Sequence, residues 1–466
     1  MRPSRLHPAR RLFLGAVCAS IVSGAVACNA ADIGNYNNPN TSQLEGAPNA
    51  ATVNTTVAGV VAGSRAGAGA WASTLGVFGR EIMNLDGAEP RNVLALLIGP
   101  LEPGGFGTDV GWSNSYRNLR TAYTILNVVD AVPDYTAAQK SGVKGFVKTF
   151  IALEYMNQLR VRDTFGLVFD IPKDPIAQGA FVTRDEAYTK TAALFDEAKT
   201  DLAAAGTAFP FTLTSGFAGF NTPVTFLRVN RGLKARLEVY RGRWTDALAA
   251  LNESFINTAA PTTASFATGV YHVFSTASGD AVNPLFDPTP RALVVVPEFL
   301  TEARLRADGS RDLRATSKAV VGTVTLATQG ISSNVRPTVY PTNVSPIAII
   351  RNEELILLRA EANIGLGNRA AAIADLNVVR TTAGGLPPLA SDFAGDLVTE
   401  LLYDRRYSLF FEYGHRWVDS RRYGRLGDLR KQLATHRVFP LVPIPVDECS
   451  QRTAAPPRGC VNVLGQ

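Results

Sequence analysis

The chain has 466 residues, 46% hydrophobic and 18% charged, with a formal charge of +6. That balance excludes a disordered chain, which needs low hydrophobicity and high net charge. No internal stretch stays apolar for the roughly 18 residues that mark a membrane-crossing helix. The basic surplus invites a nucleic-acid reading, but its position argues otherwise. Residues 1–11 carry Arg2, Arg5, Arg10 and Arg11 and no acid, and residues 12–27 are apolar or small throughout. A basic start before a short greasy run is the pattern of a secretory signal peptide, read here over residues 1–27. Cleavage there removes those four arginines and takes the formal charge from +6 to +2. No dense Lys/Arg block with interleaved aromatics follows, so no nucleic-acid partner is expected.

The leader closes on Ala25-Val26-Ala27-Cys28, which resembles a bacterial lipobox and implies lipidation at Cys28 and a membrane anchor. Plain cleavage near Ala27 is the alternative. Residues 28–46 read as a polar tether. Residues 47–258 read as a helical part. Helices are expected over about 47–82, 116–132, 137–165, 183–205, 221–241 and 245–255, with 86–112 a Pro- and Gly-rich loop. Thr183 with Glu186 three residues on suggests a capping box. Residues 259–346, rich in Thr, Ser, Pro and Gly, read as irregular with a few strands, among them 293–296 and 320–326. Residues 347–466 return to helix over about 349–365, 370–382 and 396–413, then run extended from 437. Cys449 and Cys460 are a disulfide candidate for a chain outside the cytoplasm.

The helices come in pairs. Residues 230–240 with 244–255, and 352–365 with 369–380, each show a short Gly-containing turn between two helices. That is the outline of a tetratricopeptide helix–turn–helix, whose apolar faces are buried by stacking on the next pair. The fold class expected is mainly α: stacked helix pairs with an irregular, few-stranded, loop-rich segment.

The C-terminal half carries a more specific pattern. Arg351 to Ala362 with Glu361, Leu376-Asn377 and Arg380 form one block. Asp404-Arg405-Arg406, Glu412, Gly414-His415-Arg416-Trp417, Asp419 and Arg421-Arg422 form a second. Pro443-Ile444-Pro445 with Glu448 closes it, and Asp312 with Arg314, Lys234-Ala235-Arg236, Trp244 and Asn38-Pro39-Asn40 stand upstream in order. Together they resemble the SusD/RagB family. The resemblance implies an outer-membrane lipoprotein facing the cell exterior, seated on a SusC-like TonB-dependent β-barrel transporter. It also implies an oligosaccharide or peptide ligand captured for import, and no catalysis.

Two readings compete for the acids. Glu353, Glu354, Glu361, Glu412 and Asp419 supply the residue types of a glycan-cleaving hydrolase. They also stand among arginines on expected helices, where Arg–carboxylate pairs fix packing, and this is the reading favoured. Glu361, Arg380, Arg405, Glu412, Arg416, Trp417 and Asp419 are accordingly taken as structural. Ligand contacts are expected from loops: Asp86, Arg91, Phe106, Trp112 and Asn114 in one, Tyr271 and Asn283 in the irregular segment, with aromatic faces for sugar C–H surfaces and polar groups for hydroxyls. Nucleotide, hydrolase and zinc-protease motifs are not found, and neither a cofactor nor a metal site is expected. A helical-repeat envelope scaffold without a small ligand is the third possibility.

Overall fold

The first long helix, α1 (Ala50–Phe78), is built from alanine, valine and glycine, and the Asn49 side chain caps it by accepting from the Thr52 amide. The computed structural model describes residues 44, 46–174, 177–288 and 292–466. The leader, Cys28 and Asn38-Pro39-Asn40 therefore lie outside the described residues. Six helices follow in the N-terminal half and the first C-terminal repeat: α2 (Trp112–Val128), α3 (Ala137–Arg162), α4 (Arg184–Ala203), α5 (Pro223–Tyr240), α6 (Trp244–Asn252) and α7 (Asn352–Gly365). α8 (Arg369–Thr382), α9 (Leu397–Ser408) and α10 (His415–Arg422) complete the set of longer helices.

Each helix from α1 to α8 packs on the next, and α9 rests on α7 and α8. The order is that of stacked antiparallel pairs, α1–α2, α3–α4, α5–α6 and α7–α8. Two of the turns use glycine at positive φ, Gly242 (+69°) and Gly367 (+76°), where other residues would be strained. The second pair of turns also shows why small residues matter between repeats. A Cβ at Gly365 would fall 2.3 Å from the Trp244 ring, so the end of α7 can meet the start of α6 only without a side chain.

α3 is nearly all buried from Val143 onward because α1, α2, α4 and α5 surround it. Its capping box is complete: Thr136 accepts from Gln139, and the Gln139 side chain returns the bond to the Thr136 amide. Phe146 gathers Phe150, Phe209, Phe211, Phe217 and Phe226 within 6.2 Å between ring centroids. A side chain of that size stabilises by about 1.5–3 kcal/mol when fully withdrawn from water. At α4 only half of the expected box forms: Thr183 accepts from the Glu186 amide at 3.4 Å.

Four two-stranded antiparallel ladders tie distant segments together. β1 (Ile82–Asn84) pairs with β5 (Leu293–Val295), Ile82 opposite Val295. β2 (Leu167–Phe169) pairs with β3 (Ala180–Val182), Leu167 opposite Val182. β4 (Gly269–His272) pairs with β8 (Ile347–Arg351), with a bulge between Val270 and Tyr271. β6 (Ala319–Thr328) and β7 (Ile331–Pro337) form a hairpin whose register shifts between Val321 and Leu326. Such short ladders do not stand alone in water and depend on the helices beneath them.

Several boundaries differ from the sequence-based expectation. The run expected as helix from 349 begins as β8, whose five residues are all buried, and α7 starts only at Asn352. A short continuous apolar run does not distinguish the two states. The 86–112 loop contains a helical turn at Arg91–Val93 that widens into a π-turn at Leu94–Ile98. The helix expected to 413 stops at Ser408, because Phe411 and Tyr413 take positive φ (59° and 42°) and turn the chain into α10. The irregular segment also holds short helices at Thr263–Phe266, Glu298–Thr301 and Leu313–Lys318, and the extended tail holds one at Val446–Gln451.

Candidate functional site

The chain leaves β1 through an Asx turn: Asp86 accepts from the Ala88 amide at 2.9 Å, and Asn84 accepts from the Asp86 amide. Arg91 then opens the helical turn with its side chain in solvent. Its guanidinium forks onto Glu89 at 2.7 and 2.5 Å and lies 4.6 Å from the centre of the half-buried Phe106 ring. An aromatic face, a cation and a carboxylate thus meet on one exposed patch.

A second trio of the same chemistry is assembled from positions far apart in sequence. Arg65 on α1 pairs with Asp280 at 2.5 Å, donates to the Val273 carbonyl at 2.8 Å and lies 5.5 Å from the Phe274 ring centre. The same stretch of α1 lies against the start of α2 and against Pro284. Gly67 approaches Asn114, and a Cβ at Gly69 would fall 2.5 Å from Pro284. Sequence reasoning did not point to Arg65, Glu89 or Asp280. Nothing in their spacing signals the pairing, which spans 215 positions between Arg65 and Asp280.

The remaining expected ligand residues are placed less openly. Trp112 is 6% exposed, packed on Tyr116 at 4.4 Å and under the Arg162 guanidinium at 5.2 Å, so its faces are covered by protein. Asn283 is 2% exposed and its groups are spent, Nδ2 on the Ser345 carbonyl and Oδ1 on the Leu285 amide. Asn114 is half-buried beside α1. Tyr271 is half-buried on β4 and donates its hydroxyl to the Ala267 carbonyl.

The 108–111 stretch, which follows Phe106, is held by one buried arginine. Arg162, at the end of α3, donates to the carbonyls of Thr108, Asp109 and Val110 at 3.0, 2.5 and 3.2 Å and to Gln158 at 3.0 Å. Gln158 in turn donates to the Gly111 carbonyl at 3.1 Å. Burial pushes the Arg162 guanidinium down to about 10, so it is still a cation at neutral pH.

The motif acids are paired inside the helices. Glu354 receives a two-pronged bond from Arg236 at 2.6 Å. Asp419 receives Arg405 at 2.6 Å, and Glu361 receives Arg422 at 2.8 Å and the Tyr423 hydroxyl at 2.9 Å. Arg351 bridges Glu353 and Glu412. Arg314 joins Asp312 and Asp404 at 2.7 and 2.8 Å. Arg380 donates to Glu400 and the Pro387 carbonyl, and Arg416 to the Arg80 carbonyl. Trp417 is fully buried, its Nε1 donating to the Phe439 carbonyl at 2.7 Å. Cys449 and Cys460 are joined by a disulfide. Among the described residues no group of three or more His, Cys, Asp and Glu is arranged to hold a metal ion. No helix among them is long and apolar enough to cross a membrane.

Residues 330–462 match the SusD family. The fold extends the likeness over the rest of the described chain. A laminarin-binding SusD-like protein superposes with a TM-score of 0.63 at 17% identity, covering 86% of this chain and 97% of its own. The chain shares the SusD-like fold, and its C-terminal stretch matches the SusD family. A SusD superfamily protein from Bacteroides vulgatus gives a TM-score of 0.67 at 14% identity, over 88% of this chain and 99% of its own. NanU from B. fragilis gives 0.64 at 15% identity, over 90% and 97%. No curated protein matches the chain in sequence. At these identities the likeness is one of fold.

Proposed function

We propose that this chain is a SusD-family cell-surface lipoprotein that captures a glycan and delivers it to a SusC-like TonB-dependent transporter. The observation that supports the reading is the exposed Arg91–Phe106–Glu89 patch on a SusD-like frame, with a second trio of the same chemistry, Arg65–Phe274–Asp280, built from α1 and the irregular segment. Sugar rings offer apolar C–H faces and a rim of hydroxyls. An aromatic surface edged by a guanidinium and a carboxylate answers both, with donors and acceptors fixed in place before the ligand arrives. Anchoring through Cys28 places the chain on the outer face of the outer membrane, within reach of the barrel.

The test is a glycan array, with peptides included, probed with the full chain carrying Cys28→Ser. Capture of one glycan class, weakened at least tenfold by Arg91→Ala or Phe106→Ala, is the expected outcome. Capture of peptides alone assigns the second ligand class, and binding of nothing leaves the envelope-scaffold reading in its place.

The hydrolase reading has one observation in its favour: Glu353 and Glu412 face a common cleft. Against it, a glycosidase needs one carboxyl held protonated as its general acid. Burial alone would raise the Glu353 carboxyl, but the Arg351 and Lys318 cations outweigh it and hold it below its ordinary value. Turnover of any bound oligosaccharide that is lost in Glu412→Gln would overturn the binding-only reading.

A further inference from the structure

Arg406 of α9, Arg416 of α10 and Arg425 of the turn after α10 line one cleft of about 200 Å³. It shares no residue with either loop trio. Two of the three cations are matched: Arg406 donates to Glu302 at 2.8 Å and Arg425 to Asp396 at 2.6 Å. Arg416 is not. It spends Nη1 on the Arg80 carbonyl at 2.6 Å and forms no ion pair among the described residues. Burial and the neighbouring Arg406 charge push its guanidinium down to about 9, against the pull of Glu81 and Glu302. At neutral pH it is therefore still a cation, set beside another cation. Withdrawing a charge from water is costly unless an opposite charge meets it.

The acids on the lining do not supply that charge. Asp419 is spent on Arg405 at 2.6 Å and on Arg422 at 3.4 Å. Asp428 is exposed, where water screens it. Ser420 also lines the cleft, four residues after Arg416 and so on the same face of α10. Arg416 and Ser420 are both partly exposed. Arg416 Nε and Nη2 and Ser420 Oγ have no hydrogen-bond partner among the described residues, and none of these three atoms is closed to solvent. A guanidinium fork matches the oxygens of a phosphate or a carboxylate. Donors arriving from both α10 and the following turn suit an anion with oxygens on all sides over a flat one.

We propose that this cleft binds an oxyanion of the phosphate or sulfate type, free or as the terminal ester of a larger molecule, held by Arg416, Ser420 and Arg425. The proposal does not depend on the glycan reading, and failure of either leaves the other standing.

Calorimetric titration of the full chain carrying Cys28→Ser with inorganic phosphate, at constant ionic strength, tests it. One saturable site is the expected result. Arg416 also ties α10 to the Arg80 carbonyl, so the variants are placed on its partly exposed neighbours. Ser420→Leu fills the cleft and removes a donor, and Arg425→Gln removes a charge. Each weakens phosphate binding by about tenfold, the loss of a hydrogen bond to a charged group. Asp428→Asn removes the exposed acid and tightens binding by about twofold. Thermal melts confirm that all three variants fold. No saturable binding, or binding unchanged in folded Ser420→Leu and Arg425→Gln, would overturn the site. Acetate bound as tightly as phosphate would overturn the assignment to a tetrahedral anion. Glucose 6-phosphate and phosphatidic acid vesicles, each set in competition with phosphate, separate a soluble ester from a lipid headgroup as the source.

Discussion

Arg405, Glu361, Asp419 and Arg422 form a closed network in which both acids and Arg405 are at most 4% exposed at the side chain. Removing one member strands a partner charge inside the protein, which costs about 3–5 kcal/mol. Arg405→Ala is therefore expected to lower unfolding free energy by that amount in urea titration, while leaving any ligand affinity of the surviving folded protein unchanged. His272 gives a second prediction at this scale. It is 1% exposed, neither ring nitrogen has a hydrogen-bond partner among the described residues, and burial with the nearby Arg65 charge pushes it down to about 3. An unfolded histidine takes up its proton near pH 6.5. Its contribution to stability is therefore intact above pH 6.5 and is lost progressively between about 6.5 and 3, at about 1.4 kcal/mol per pH unit. His272→Phe should flatten that acid limb in melts recorded across pH. Glu81 acts with the opposite sign: burial pushes it up to about 8, against the pull of Arg416. Its protonated form favours folding fully below about pH 4.5, and that contribution fades as pH rises through 8.

Among the elements, α3 carries the greatest share of the N-terminal core. Phe146→Ala should cost about 3–5 kcal/mol, read by denaturant unfolding, because five phenylalanine rings lose their common neighbour. The end of the same helix holds the 108–111 loop, part of the proposed ligand surface. Arg162→Met keeps much of the volume but releases three carbonyls at 108–110. The outcome expected is a weakened affinity for the captured glycan, with faster amide exchange across 104–114 and little change around α5–α8. A purely structural role would instead lower global stability without that local exchange. The C-terminal tail is clamped by the Cys449–Cys460 disulfide, while Arg452 donates to the Gly179 carbonyl beside β3. Closing a loop of this length limits the unfolded chain by up to about 3 kcal/mol. A reducing agent should lower the melting temperature, and Cys449→Ser with Cys460→Ser should make the protein indifferent to it.

At the scale of the whole molecule, the described residues form four stacked helix pairs, and short ladders join positions as far apart as Ile82 and Val295. Such a frame binds through what it displays, and the ligand follows from the loops more than from the fold. Anchoring has its own check: Cys28→Ser should shift the protein from the membrane fraction to the soluble fraction, with the helical signal unchanged. Co-purification from membranes with a TonB-dependent barrel is the expected result for the partner.

Helix positions, the helix pairs and the SusD-like C-terminal pattern were legible from local information, because apolar spacing, caps and Gly turns act over a few residues. So were the arginines and acids of the C-terminal motifs, whose alternation of charge on helices implies pairing. What the chain alone could not show is any contact whose partners are far apart in it. Trp112 and Phe106 look alike as loop aromatics, yet the first is turned under Arg162 and the second is left at the surface beside Arg91. Arg65 reads as an ordinary helix residue until the fold sets Asp280 and Phe274 against it. β8 reads as the start of α7 until β4 arrives as its partner. Sequence specifies which side chains exist and how the backbone around them prefers to turn. Which faces are spent on the core and which are left for a ligand is decided only when elements hundreds of residues apart compete for the same surface.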